Sequence, residues 1–164
     1  MKPNIRIGYG YDVHRLAEGV DFWLGGIKVE HHSGAYGHSD ADVLIHVICD
    51  ALLGAANMRD IGFHFSDKDP KYKGIDSKIL LKDVIELIKG KGFSVGNIDC
   101  TICLQEPKVN PYVPEMKSCL AKVIDIPEED VSIKATTTEK LGFVGTEEGV
   151  SAHAVALIYK TDEA

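Results

Sequence analysis

The chain has 164 residues, close to the usual size of one domain, so we expect a single domain spanning residues 1–164. Hydrophobic residues make up 45% and charged residues 26%, which excludes a disordered tail and a fibrous repeat. Because 18 basic residues stand against 25 acidic ones, the formal net charge is −7, which argues against a nucleic-acid partner. A phosphate compound can still bind where metal ions or backbone donors supply positive charge.

Targeting signals and cysteine usage indicate the compartment. The N-terminal residues lack the apolar run of a signal peptide and the composition of a transit peptide. No stretch approaches the roughly 20 apolar residues of a membrane span. The four cysteines are then most simply reduced thiols, and Cys100 and Cys103 lie three apart on a predicted strand, poorly placed to share a metal. We expect a cytoplasmic protein with no membrane partner.

The first forty residues predict a strand, a hairpin and a loop. Alternating β-rich residues predict a strand over 5–14. Gly25 and Gly26 separate two short apolar segments, which predicts a hairpin over 21–29. Residues 31–40 are polar and contain glycine, which is typical of a loop.

The next segment predicts a helix and a functional loop. Apolar residues at helical spacing predict a helix from Asp42 to about Asn57, capped by Ser39 or Asp40. Residues 60–73 are rich in Asp, Gly and Pro, and we expect a long ordered loop there. Loops of this length in compact domains tend to carry function.

The second half alternates helices and strands loosely. Asp76 or Ser77 can cap a helix that runs to about Lys91, where Gly92 stops it. The remaining predicted elements are a strand over 97–104, a helix over 111–124, and strands over 131–136 and 150–159. This pattern predicts an α/β fold of the α+β type, with a mixed sheet, helices packed on one face and an N-terminal β-hairpin.

One group of residues has the composition of a zinc site. Asp12 and His14 lie two apart on a strand and project to the same side. His46 lies on a predicted helix, on one ridge with Asp42 and Asp50. One Asp and two His suit Zn²⁺ and leave a fourth position open, as in catalytic zinc sites. Spacing alone favours the structural alternative, in which Asp12 caps a turn and His46 is a hydrogen-bonded helix histidine.

Two further segments are candidates for binding phosphate and metal. Residues 37–40 precede a helix N-terminus, where backbone N–H groups attract phosphate, although a plain helix cap explains them equally well. Residues 136–138 are three threonines that offer hydroxyls and amides to an anion, and Glu139 offers a carboxylate to Mg²⁺. The alternative for the second segment is a capping box between Thr136 and Glu139.

The ordered motifs, read together, cover nearly the whole chain from about Ile5 to Lys160. They are Gly10-Tyr-Asp-Val-His14, Gly37-His-Ser-Asp-Ala-Asp42, His46, Asp50-Ala-Leu-Leu-Gly-Ala-Ala56, Asp60-Ile-Gly62, Phe65-Ser-Asp-x-Asp-Pro70 and Lys134-Ala-Thr-Thr-Thr-Glu-Lys-Leu-Gly-Phe143. Their order and spacing resemble the 2-C-methyl-D-erythritol 2,4-cyclodiphosphate synthase family of the non-mevalonate isoprenoid pathway.

The resemblance implies a reaction and an assembly. Members of this family convert 4-diphosphocytidyl-2-C-methyl-D-erythritol 2-phosphate to the cyclic diphosphate and release CMP, in a homotrimer with active sites between subunits. By resemblance, Asp12, His14 and His46 hold Zn²⁺, and Glu139 helps to hold Mg²⁺ or Mn²⁺. Because the attacking group is already a phosphate anion, the reaction needs positioning and charge neutralisation rather than a strong base.

The resemblance also implies a role for each matched residue. His38 and Thr137 match the catalytic positions that donate to the transferring phosphoryl group. The first substrate-binding set, near the metal and around the methylerythritol and ribose, is Asp12, Val13, His14, His38, Ser39, Asp60, Ile61, Gly62, Phe65, Ser66, Asp67, Lys68 and Asp69. The second set, around the cytidine diphosphate, is Leu104, Gln105, Glu106, Pro107, Lys108, Val109, Asn110, Thr136, Thr137, Thr138 and Glu139, with Phe143 added.

One position departs from the family pattern. Two alternative functions also remain open from the sequence. Many members carry Arg where this chain has Thr146, which cannot supply a bidentate cation and so argues against binding of isoprenoid diphosphates near the trimer axis. The first rival function is a non-catalytic zinc- or nucleotide-binding module. The second is a zinc phosphodiesterase, in which water attacks the same diphosphate and gives a linear product.

Overall fold

The structure, a computed structural model, describes residues 4–161. The strands are β1 (Ile5–Glu18), β2 (Phe22–Leu24), β3 (Ile27–Val29), β4 (Ser33–Tyr36), β5 (Phe93–Cys103), β6 (Val131–Thr136) and β7 (Gly149–Lys160). The helices are α1 (Val43–Ala55), α2 (Ile61–His64), α3 (Ser77–Gly90), α4 (Val113–Ile124) and α5 (Gly142–Gly145). Within residues 4–161, no helix is long and apolar enough to cross a membrane.

A mixed five-stranded sheet forms the centre of the fold. Its strand order is β4-β1-β7-β5-β6, with β5 and β6 parallel and the other neighbours antiparallel. The hairpin of β2 and β3 forms a separate two-stranded sheet, with Gly25 and Gly26 at its turn in the left-handed region, at φ 62° and 80°. The predicted α/β class, mixed sheet and hairpin are therefore confirmed.

Helix α1 lies directly on β1 because two glycines remove the side chains between them. A Cβ at Gly8 would lie 1.8 Å from the carbonyl oxygen of Ala51, and one at Gly10 would lie 2.1 Å from that of Val47. Both glycines are on the face of β1 that looks toward the helices. The next even-numbered residues on this face therefore point toward the first half of α1.

Two segments predicted as loops contain regular structure. Residues 33–36 form strand β4, which pairs with the end of β1. The segment shows no alternation of apolar and polar residues, because Ser33, Gly34 and Ala35 are all small and buried. Within the predicted loop 60–73, Asp60 accepts a hydrogen bond from the N–H of Phe63 at 2.9 Å and starts α2. A polar capping residue of this kind can start a single helical turn that shows no helical spacing of apolar residues in the sequence.

The cap of α1 is Asp42, so the predicted caps Ser39 and Asp40 are wrong. The Asp42 carboxylate accepts from the N–H of Ile45 at 3.0 Å. It also accepts from the N–H groups of Gly25 and Gly26 at 2.9 and 2.6 Å, so it attaches the hairpin turn to the helix start. Complete burial raises the pKa of Asp42, although these three N–H groups oppose the increase.

The cysteines lie in the fold as reduced thiols. Cys100 is buried and Cys103 is half-buried on the opposite side of β5, and neither forms a disulfide. Burial raises the pKa of the Cys100 thiol to about 12. This alternation agrees with the prediction that Cys100 and Cys103 are poorly placed to share one metal.

Candidate metal centre and ligand cavities

Three donor atoms converge where β1 meets α1. The Nδ1 atom of His46 lies 3.0 Å from Oδ2 of Asp12 and 3.1 Å from Nε2 of His14. The Nε2 atom of His14 lies 3.2 Å from the same Asp12 oxygen. All three ligand atoms lie within 4.8 Å of one another, a geometry in which one ion can contact all of them. The predicted convergence of Asp12, His14 and His46 is therefore present.

The environment favours an ionised carboxylate beside the two imidazoles. Partial burial by itself raises the pKa of Asp12, but hydrogen bonds and charge interactions with His14 and His46 outweigh it and hold this pKa well below its usual range. His46 is buried, whereas Asp12 and His14 are partly exposed. The cluster thus presents one anionic and two imidazole donors toward an accessible side.

Asp42 and Asp50, which lie one helical turn before and after His46, bind backbone N–H groups. Asp42 is bound to the hairpin turn, as described above. Asp50, one turn further along, accepts a hydrogen bond from the N–H of Ile61 at 2.8 Å and so fixes the start of α2 against α1. Burial raises the pKa of Asp50, and the neighbouring carboxylates of Asp60 and Asp12 add to the increase.

The cluster opens on a cavity of about 380 Å³ between the 37–39 segment, α2 and the start of α3. It is lined by His14, His38, Ser39, His46, Ile61, Gly62, Phe65, Asp67, Tyr72, Ile75 and Leu80. The carboxylate, the imidazoles and the apolar side chains of this cavity can hold a small polar ligand beside a metal ion. Residues from five separate sequence motifs are brought together here.

A second cavity of about 200 Å³ lies at the ends of β5 and β6. It is lined by Leu104, Pro107, Lys108, Val109, Asn110, Ala135, Thr136 and Thr137. Residues of the segments 104–110 and 136–138, which by resemblance receive the cytidine diphosphate, therefore lie side by side.

The two cavities are separated within one chain. Thr136 on β6 is level with Cys103 on β5, which is level with Ser151 on β7 and, one strand further, with Val13 on β1. Three inter-strand spacings put roughly 14 Å between β1 and β6. His38 and Thr137, predicted as a catalytic pair, line different cavities, and Glu139 is not part of the cluster of Asp12, His14 and His46.

The segment after β6 has an irregular backbone. Glu139 and Lys140 both have positive φ, at 54° and 62°, and the Thr137 hydroxyl donates to the Glu139 carboxylate at 3.4 Å. No helix starts at Thr136, so the capping-box alternative is wrong. Non-glycine residues in this region of backbone space are strained and concentrate at functional sites.

The other predicted residues have varied positions. Val13 is on the opposite face of β1 from the donor cluster, and Thr146 donates its hydroxyl proton to the Glu148 carboxylate at 2.7 Å. Besides Val13, several residues predicted to bind substrate or metal line neither cavity. They are Asp12, Asp60, Ser66, Lys68, Asp69, Gln105, Glu106, Thr138, Glu139 and Phe143. Ser77, Tyr72, Ile75 and Leu80 were not predicted as site residues, because a single Ser, Tyr or apolar residue near a helix start carries no pattern of its own.

Comparison with known proteins identifies the class. The YgbB family matches residues 5–159. A 2-C-methyl-D-erythritol 2,4-cyclodiphosphate synthase of Porphyromonas gingivalis is 62% identical over 158 residues, which cover 96% of this chain and 98% of that protein. The chain belongs to the YgbB family. The resemblance of its motifs to this synthase family is confirmed, and with it the expectation of a cyclising lyase.

Solved structures agree in fold. A bifunctional protein from Campylobacter jejuni superposes with a TM-score of 0.93 at 39% identity, with 96% of this chain matched to 43% of that longer chain. A Plasmodium falciparum protein in a CDP complex superposes with a TM-score of 0.85 at 33% identity, over 99% of this chain and all of that one. The fold built around the two cavities is therefore that of the family.

Proposed function

We propose that this chain catalyses the cyclisation of 4-diphosphocytidyl-2-C-methyl-D-erythritol 2-phosphate to 2-C-methyl-D-erythritol 2,4-cyclodiphosphate, with release of CMP. The observation that carries the proposal is the convergence of Asp12, His14 and His46 at a cavity in a chain of the YgbB family. The step is an intramolecular phosphoryl transfer. An oxygen of the 2-phosphate bonds to the β-phosphorus, the bond from that phosphorus to the α–β bridging oxygen breaks, and CMP carries away that oxygen.

The donor set fits zinc. One carboxylate and two imidazoles are ligands that Zn²⁺ prefers, and three protein ligands would leave a fourth coordination position free. Asp12, His14 and His46 would hold the ion. When bound, zinc supplies Lewis-acid stabilisation for charge that develops on a phosphoryl oxygen. A carboxylate with a lowered pKa stays ionised at neutral pH and keeps this set ready for a divalent cation.

The chain's own residues position the substrate. His38, at the cavity beside His14, would donate to the transferring phosphoryl group, with Thr137 as the second donor. The segments at Asp60–Gly62 and Phe65–Asp69 would hold the methylerythritol and ribose. The cavity lined by Lys108 would receive the cytidine diphosphate, and Glu139 would help to hold Mg²⁺ or Mn²⁺, which would neutralise phosphate charge.

The separation of the two cavities supports the homotrimer that the family resemblance implies, with active sites between subunits. His38 and Thr137 would both donate to one phosphoryl group, yet they line different cavities and roughly 14 Å of sheet lies between β1 and β6 in one chain. Thr137 would therefore come from a neighbouring subunit. The sheet face away from the helices offers a surface for this contact. Its exposed apolar residues on β1 and β7 are Ile5, Ile7, Tyr9, Tyr11, Val13, Val155 and Tyr159.

Location and domain boundaries stay predictions. We expect a cytoplasmic enzyme and one domain over residues 1–164. The negative formal charge of −7 is compatible with an anionic substrate when divalent ions sit in the site.

Phosphorus NMR of the substrate incubated with zinc-loaded protein tests the proposal. Appearance of CMP and a coupled pair of cyclic-diphosphate signals, abolished by removal of zinc, is the expected result. CMP with a linear diphosphate would show a hydrolase instead. An unchanged spectrum from folded, zinc-loaded protein with Mg²⁺ or Mn²⁺ would contradict catalysis and favour a binding module.

A further inference from the structure

The far side of the His46 ring faces two hydroxyls, of which the one on Ser77 has no role in the proposed reaction. Its Nε2 atom lies 3.1 Å from Oγ of Ser77 and 3.1 Å from Oγ of Ser39. Ser77, the first residue of α3, is fully buried, so water does not compete for its hydroxyl. The direction of the hydrogen bond between Ser77 and His46 decides where the ring carries its proton.

Asp40 sets that direction. The Ser77 hydroxyl donates to Oδ1 of Asp40, and the Ser77 N–H donates to Oδ2 at 2.9 Å. The N–H of Asp42 also donates to Asp40 Oδ1, at 3.2 Å. A carboxylate that receives three donors has no proton to return, so the Ser77 hydroxyl proton points at Asp40. The Ser77 oxygen can then only accept from His46.

Backbone contacts hold this arrangement in place. The Asp40 N–H donates to the carbonyl of Ile75 at 3.1 Å, and the Gly74 N–H donates to the carbonyl of His38 at 2.8 Å. The segment before α1 and the segment before α3 therefore run side by side. Asp40 and Ser77 keep their positions because two separate pairs of backbone groups join these segments.

We propose that Asp40 and Ser77 are positioning residues for His46, which keep the ring proton on Nε2 and leave Nδ1 as the metal-binding atom. This inference rests on the zinc site of the proposed function. The same hydrogen bonds fix the ring plane, so that Nδ1 points at Asp12 and His14. Partners of this kind orient a metal-binding histidine and increase its basicity.

Three substitutions and one control test the proposal through zinc affinity. Ser77→Ala removes the acceptor but keeps the Ser77 N–H bond to Asp40. Asp40→Asn replaces one of the two carboxylate oxygens that accept from Ser77 with an amide donor, which disrupts the pair of contacts that orients the Ser77 hydroxyl. Ser77→Thr retains a hydroxyl, and Ser118→Ala removes one from α4, which carries no site residue.

Competition with a chromogenic chelator measures the zinc dissociation constant of each folded variant. We expect a roughly 10–100-fold weaker affinity for Ser77→Ala and Asp40→Asn, and recovery toward the wild-type value for Ser77→Thr. Ser118→Ala should leave the affinity unchanged. Wild-type affinity in both Ser77→Ala and Asp40→Asn would overturn the proposal, because a purely structural tie between the segments changes stability and not zinc binding.

Nitrogen-15 NMR of the imidazoles tests the proton position directly and needs no substitution. We expect the Nε2 of His46 to carry a proton with and without zinc. An unprotonated Nε2 in the wild-type protein would overturn the proposal even if a variant failed to fold. Wild-type protein that binds no zinc would contradict the proposed metal site, whereas zinc-bound protein with unaffected variants would contradict this inference alone.

Discussion

His46 and Asp12 face each other across the contact between α1 and β1, with 3.0 Å between Nδ1 and Oδ2. The contact is this close because Gly8 and Gly10 let the strand backbone lie against the helix. The same strand face then carries Asp12 and His14 to the level of His46. Close packing and the donor cluster are therefore consequences of one pattern of alternate residues.

Gly10→Ala should destabilise the protein, because the added Cβ would lie 2.1 Å from the backbone oxygen of Val47. Overpacking costs typically about 1–3 kcal/mol, and a backbone neighbour cannot rotate away. Gly54→Ala is the control. Gly54 lies on α1, as Val47 does, and nothing lies within 4 Å of the position that its Cβ would take. That control should gain up to about 1 kcal/mol in helix propensity. Urea unfolding measures both, and equal stability of the two variants would contradict the packing argument.

His46→Ala should lose zinc and nearly all turnover while the protein still folds. The reason is that two donors, Asp12 and His14, remain where three converge in the wild type. Metal analysis after dialysis, together with circular dichroism, checks the result. Unchanged activity of His46→Ala would remove Asp12, His14 and His46 from the metal site.

Glu139→Ala should instead keep zinc and weaken the dependence of turnover on Mg²⁺ or Mn²⁺.

Ile7→Glu should prevent trimer formation without unfolding the subunit. Ile7 is 68% exposed on the sheet face away from the helices, so a charge there costs little in one chain but much in a buried contact. Ile79→Glu on α3, where Ile79 is 51% exposed, is the matched control and should leave assembly intact. Light scattering after gel filtration distinguishes the states. A trimer that persists in Ile7→Glu would place the interface elsewhere.

Stability should fall as the pH rises above about 9, partly through Cys100. Burial raises the pKa of this thiol from 9.0 to about 12, so the unfolded chain loses its proton first. The stabilisation is complete below pH 9 and is lost progressively as the pH approaches 12. Cys100→Ala should flatten this part of the stability profile. Alkylation of Cys100 in native protein at pH 8 would contradict its burial.

The local sequence determined the elements with strong patterns. Alternation over β1 put Asp12 and His14 on one side, and Gly25-Gly26 predicted the hairpin that the structure contains. Val131–Thr136 is a strand with the predicted bounds. These features depend on backbone conformation and on neighbours in the chain, which a sequence pattern records.

Tertiary structure decided what long-range partners control. Asp42 caps α1, while Asp40 binds Ser77, because the hairpin turn and the start of α3 reach those carboxylates in the folded chain. Strand β4 exists because β1 offers it an edge. Thr137 lies apart from His38 because strand order, which no local pattern encodes, puts two strands between β1 and β6. Which atoms face one another was thus fixed by packing, whereas the residue types able to bind a metal were already present in the sequence.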